Sequence, residues 1–285
     1  MRSACIGRRS WPATVFDATC TTPLTSTPTV QPGDSVDVCV KVSVPASAAN
    51  GATSDTTVTA SSGSASATAT LTTIAVATDT LVVDEDLGGP NVQQYYEDAL
   101  SANGVEFSYW DVSADPNIPQ SLLTAHKNVV WFTGNAYPGP ITPYESELKA
   151  FLDGGGRLFM SGQDILDQAA STTAFVHDYL HIDWDGTERQ NDKGTTAVHG
   201  VAGNAVSDGI GAVPLDHSVL NAEFEDQITP IAPATAAFTD DSSATDALNV
   251  GEGPYKVVFL AFPLEAYGTA TQKADLMRRV LTYFG

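Results

Sequence analysis

Residues 80–86 read TLVVDED, a short apolar run that opens directly onto three adjacent carboxylates. A run of this length and character suits a strand buried on both faces, as in a parallel sheet. The grammar continues downstream. Residues 91–103 carry helical spacing and stop at Gly104, a helix-ending residue. A second strand is expected over 107–112, and a third over 128–133 (NVVWFT), ending in Gly134. Thr142 is expected to cap a helix running to Leu152, with Glu145 placed as a capping box requires. Three glycines, 154–156, break that helix, and residues 157–160 (RLFM) form a fourth strand. Alternating strands and helices imply right-handed crossovers. The expected class is therefore α/β, with a doubly wound, mostly parallel sheet. Residues 170–250 are rich in Gly, Asp and Thr and read as an insertion of hairpins and loops. The chain closes on a strand at 256–262 (KVVFLAF) and a helix over 271–284.

Upstream, residues 11–77 read as β throughout. Gln31-Pro32-Gly33-Asp34 signals a turn, and 35–44 (SVDVCVKVSV) alternates so that Val36, Val38, Val40, Val42 and Val44 share a face. Asn50-Gly51 marks another turn before two Thr/Ser/Ala-rich strands, 54–60 and 65–74. Short alternating strands at this spacing predict a small, incomplete β-sandwich ahead of the α/β domain at 78–285.

The net charge of -21 is unevenly placed. Residues 1–78 hold four Lys/Arg and four Asp/Glu, so the remaining 207 residues carry the whole excess. A field of that sign repels phosphate backbones and argues against nucleic acid as a partner. No stretch approaches eighteen consecutive apolar residues, so no membrane-spanning helix is expected. The three cysteines all fall within the first 39 residues. Cys20 and Cys39 sit in or beside two strands of one module, and either a disulfide or two buried thiols would fit; a bridge would indicate an oxidising, extracellular setting. Residues 1–10 have arginines but no apolar core, so they are not a signal peptide. The expectation is a fragment of a longer polypeptide, with the signal and further domains upstream.

In a doubly wound sheet, ligands bind outside the carboxyl ends of the strands. That rule selects Asp84, Glu85 and Asp86, then Asp111, Gly134 and Asn135, then Ser161, Gln163 and Asp164, and finally Glu265. Neighbours in an extended segment alternate direction, so Asp84, Glu85 and Asp86 cannot all face one point. Asp84 and Asp86 with Asp164 could hold calcium through hard oxygen ligands, or the acids could cap the following helix.

The ordered set TLVVDEDLGG, WFTGN, GGGRLFMSGQDI and YKVVFLAFPLEAYG resembles the glutamine-amidotransferase-like fold. It is similar to divergent members that follow subtilisin-type or immune-inhibitor-A-type peptidases in secreted bacterial proteins. QPGDSVDVCVKVSVP, with the segment after it, resembles bacterial immunoglobulin-like modules. The first resemblance implies a cysteine on a strained turn in a G-x-C-x-G context, and a His-x-Glu pair after a later strand. No cysteine lies beyond Cys39; the turn reads Met160-Ser161-Gly162-Gln163, and Pro263 or an apolar neighbour stands where the resemblance implies the histidine, with Glu265 at the glutamate position. A serine without an adjacent base is a poor nucleophile. Of His126, His177, His181, His199 and His217, the pair 177/181 is spaced to share a helix face and to bind a metal with Asp178 or Asp183.

Three functions follow as expectations. The first is a non-catalytic accessory region of a secreted or cell-surface multidomain protein, partnered by its upstream domains and by a cell surface or substrate polymer. The second is a hydrolase using Ser161, Glu265 and one of the histidines. The third is a calcium or small-ligand module on the carboxylate rim.

Overall fold

The computed structural model describes residues 11–45, 48, 52–75, 78–139, 141–167, 173–184, 191–219, 223–251 and 253–285. The Asn50-Gly51 turn and the 1–10 segment, with Cys5, lie outside the described residues. The chain divides into two compact units, Met1–Ala77 and Thr78–Gly285.

In the first unit β1 (Ala13–Asp17) pairs antiparallel with β2 (Val38–Val42), and β3 (Thr53–Ser62) pairs with β4 (Ala65–Ile74) around the Gly63 turn. These are two separate two-stranded sheets. Cys20 and Cys39 are joined by a disulfide. The valine face expected over 35–44 is not covered: Val36, Val38 and Val44 are exposed. Among the described residues β2 has only β1 as a strand neighbour, and a two-stranded ribbon leaves much of its surface open to water.

The second unit holds β5 (Thr80–Asp84), α1 (Gln93–Ala102), β6 (Phe107–Asp111), α2 (Gln120–Thr124), β7 (Asn128–Phe132), α3 (Glu145–Asp153), β8 (Arg157–Ser161) and α4 (Ala174–Asp178). It continues through β9 (Asn191–Lys193), β10 (Ala197–Gly200), β11 (Ala212–Pro214), β12 (Phe224–Asp226), β13 (Thr235–Thr239) and β14 (Thr245–Val250). It ends with β15 (Lys256–Leu260) and α5 (Ala270–Phe284). The main sheet runs β11-β10-β13-β14-β15-β8-β7-β5-β6. Its β6-β5-β7-β8-β15 part is parallel throughout, in the order 2-1-3-4-5 of the flavodoxin-like doubly wound class. The insertion contributes more than loops, because β14, β13, β10 and β11 extend the sheet antiparallel from β15.

The apolar runs become the core. Every residue of β5 is buried, as are Val129–Phe132, Leu158–Ser161 and Val257–Leu260. Tyr96, Ala99 and Leu100 of α1 and Leu276, Met277, Val280 and Phe284 of α5 pack against one face in a single apolar cluster. Each such side chain taken from water contributes about 1.5–3 kcal/mol. Two local expectations differ. Residues 142–144 form a 3-10 turn with Pro143 near its start, α3 begins at Glu145 without a side-chain cap, and Glu145 instead accepts the Thr173 hydroxyl at 2.7 Å. A capping box does form at α5, where Thr269 and Gln272 bond reciprocally.

Candidate functional site

Parallel pairing fixes which residues meet at the carboxyl edge. Asp111, Asp84, Phe132, Ser161 and Leu260 stand in one register row across β6, β5, β7, β8 and β15. The loops leaving this row are stitched to one another. Val112 N–H donates to the Asp84 carbonyl at 3.0 Å, Glu85 N–H to the Phe132 carbonyl at 3.0 Å, and Gly139 N–H to the Asp164 carbonyl at 2.7 Å. A side chain at Gly89 would meet the Asp86 carbonyl at 2.9 Å and Asn135 Oδ1 at 3.6 Å, so the 86–89 loop lies directly on the Gly134-Asn135 turn. Gly162 lies so close to Thr133 that a Cβ there would overlap its hydroxyl. The loops leaving the edge selected from the sequence are therefore tied to one another through their backbone.

Ser161 ends β8 and is fully buried. Its hydroxyl donates to the Phe262 carbonyl at 3.1 Å and accepts the Leu264 N–H at 2.8 Å. The Tyr96 hydroxyl lies 3.2 Å from the same oxygen and donates to Glu265 Oε2 at 2.7 Å. Tyr96 is held in place by stacking on Phe132, centroids 4.3 Å apart. Ser161 and Glu265 thus do come together, through a tyrosine that the sequence reading missed. On an amphipathic helix, Tyr96 reads as one more core position, and no local signal separates it from one.

All five histidines are described, and none hydrogen-bonds Ser161. His126 bonds the Leu122 carbonyl and Ser108; His181 bonds the Tyr255 hydroxyl; His199 pairs with Asp241, and His217 with Glu225 at 3.3 Å. His177 bonds its neighbour Asp178. The expected 177/181 helix face does not form, because α4 ends at Asp178 and His181 sits beyond it in the left-handed region, φ 55.

The strained residue after β8 is Asp164, at φ 60. Non-glycine residues there are uncommon and locally costly. The left-handed residue thus falls at Asp164, three residues beyond Ser161, the end of β8. Asp164 lies near the buried Asp226, whose carboxyl is pushed well up by burial and by the neighbouring Asp167, Asp164 and Glu225. Gln163 is buried beside it.

The acidic loop alternates as extended geometry requires. Asp84 accepts the Tyr109 hydroxyl at 2.5 Å, whereas Glu85 turns to the Trp131 indole N–H at 2.6 Å. Asp86 accepts the N–H groups of Gly88 and Gly89 and so caps its own loop. It does not cap α1, whose N-cap is Val92 with no side-chain bond. Asp111 accepts Ser113 and Ala114 N–H. Burial raises Asp84 to about 6, Glu85 to about 9 and Glu265 to about 7. Burial raises Asp86 as well, with Asp111 adding repulsion. Asp84, Asp86 and Asp111 repel one another, while Asp164 faces Asp226 instead. Among the described residues no three His, Cys, Asp or Glu side chains are grouped to hold a metal ion. No helix of the described chain is long and apolar enough to cross a membrane.

Solved structures resemble this chain to differing degrees. A GMP synthase component from Thermoplasma acidophilum superposes with a TM-score of 0.51 at 12% identity, over 73% of this chain and 94% of its own. A cytoplasmic protein of Salmonella typhimurium gives 0.49 at 12% identity, over 81% of this chain and 95% of its own. A ThuA-like protein of Bacteroides uniformis gives 0.47 at 9% identity, over 72% and 90%. No protein-family model and no curated protein matches the chain. The α/β unit therefore has a class I glutamine-amidotransferase-like, flavodoxin-like fold.

Proposed function

We propose that this chain is a non-catalytic accessory region of a secreted multidomain protein, in which an amidotransferase-like fold serves as a spacing, stabilising or surface-binding module. The observation that carries the reading is the state of the inherited site. The serine is buried with its proton directed at a backbone carbonyl, the left-handed turn residue after β8 is an aspartate, and every histidine is committed elsewhere. Nucleophilic catalysis needs a base within about 2.6–3.2 Å of the attacking group; the serine has there only backbone groups and the Tyr96 hydroxyl, whose proton goes to Glu265, and no histidine. The disulfide between Cys20 and Cys39 supports an oxidising compartment. The likeness of the first unit to immunoglobulin-like modules, and of the pair to peptidase-associated regions, supports a place beside a peptidase.

The test is hydrolysis by the purified chain across a panel of amide and ester substrates. The expected outcome is no turnover above the uncatalysed rate. Turnover that disappears in Ser161→Ala or Asp164→Asn would overturn the proposal.

A further inference from the structure

Glu265 is fully buried on the turn that follows β15. One carboxyl oxygen has the Tyr96 hydroxyl; the other is buried with no partner beyond the weak pull of its own backbone N–H. The groups facing it come from three elements: Tyr96 on α1, Lys273 on α5 and Asp84 at the end of β5. Lys273 is no close counter-ion, since its ammonium donates to the Gly268 carbonyl at 2.9 Å and lies over the Tyr95 ring. Asp84 repels it. A carboxylate given one hydroxyl donor in an apolar setting is costly, whereas the neutral acid is tolerated. The same turn is tied down by the Leu264 N–H bond to Ser161, one residue from Glu265.

We propose that Glu265 is a proton-operated latch: neutral, it holds the 262–266 segment against α1 and the end of β8, and ionised, it loosens that joint. Burial moves its pKa to about 7 from an ordinary 4.5, so loosening falls across the neutral range. Opening the joint returns the carboxyl to water, where it ionises freely. With those two values the opening equilibrium rises about tenfold between pH 6 and pH 8. Opening would also uncover the Ser161 hydroxyl.

Amide hydrogen exchange of Leu264 in the full chain reads this directly, after correction for the base-catalysed intrinsic rate. The expected result is an opening constant at Leu264 that rises about tenfold from pH 6 to pH 8, stays level in Glu265→Gln, and at pH 8 exceeds that of Val258 in the core strand β15. Identical pH dependence in wild type and Glu265→Gln would overturn the proposal. So would equal opening at Leu264 and Val258, because the whole domain would then be unfolding rather than one joint. Should Glu265→Gln fail to fold, Tyr96→Phe carries the test. It removes the hydroxyl bond that favours the ionised form, so the rise must move to higher pH, and an unmoved midpoint would count against the latch.

Discussion

The first unit of this chain is richer in Val, Ala and Thr than the second, yet it buries far less of what it has. Among the described residues of the first unit only Ser54, Thr56 and Ala75 are buried. In the second, the β5, β7, β8 and β15 strands lie almost wholly inside, together with Asp84, Glu85, Asp86, Asp226, Asp246 and Glu265. The first unit is two ribbons with a covalent staple. The second is a full core that has enclosed acids along its carboxyl edge. The difference shows that apolar alternation is necessary but not sufficient for burial: a strand also needs a layer to face.

Their responses to pH should be opposite in sign. In the second unit Asp84, Glu85 and Glu265 have folded pKa values above their unfolded ones. Their favourable contribution is present in full below about pH 4 and is gone once the pH has risen through 6, 9 and 7 respectively. Glu265 alone accounts for about 3 kcal/mol. Urea unfolding followed by tryptophan fluorescence should therefore show the second unit losing stability steadily from pH 5 to pH 9, by more than Glu265 alone accounts for. A midpoint that holds constant over this range would break the comparison. In the first unit the sign reverses. Asp17 accepts the N–H groups of Thr21 and Thr22, and these bonds hold its carboxyl well below the usual range. Whatever stability it gives is lost only as the pH falls through that lowered value. The Asp17 side chain is open to solvent, so the effect is small.

Reduction sharpens the contrast. The disulfide closes a separation of 19 residues, for which the chain-entropy account gives about 3 kcal/mol. With few buried side chains among its described residues, the first unit should lose its strand signals when reduced, while the amide spectrum of the second stays unchanged. Loss of both together would mean that the units do not fold independently. The smallest effect is expected at the solvent-facing pair of Lys127 and Asp79, 2.7 Å apart but about two-thirds exposed. Asp79→Ala should change stability by under about 1 kcal/mol.

Much of this was legible beforehand, for identifiable reasons. The parallel strands announced themselves because two-sided burial demands unbroken apolar runs, and TLVVD, NVVWF and KVVFL have them. The antiparallel extension was not visible, because β10, β13 and β14 are short and Thr/Ala-rich, and earn their place by pairing with β15 rather than by their own pattern. At the edge, the structure groups the acids differently from the expectation. Register joins Asp84 to Asp111, while Asp164 turns away to Asp226 because its backbone is left-handed. The place of the sharp bend has the same origin. Counting from the apolar run puts Ser161 on the turn, whereas β8 continues through it and the sharp bend comes three residues later.

The account rests on Ser161 being a structural strut, and Ser161→Ala tests this most directly. Removing the hydroxyl strands the buried Leu264 N–H and deprives the Phe262 carbonyl of its donor, a loss of about 2–3 kcal/mol. Denaturant unfolding of this variant beside the wild type should show that loss in the second unit. Unchanged stability would contradict the account, because a hydroxyl whose removal costs nothing is one left free to react.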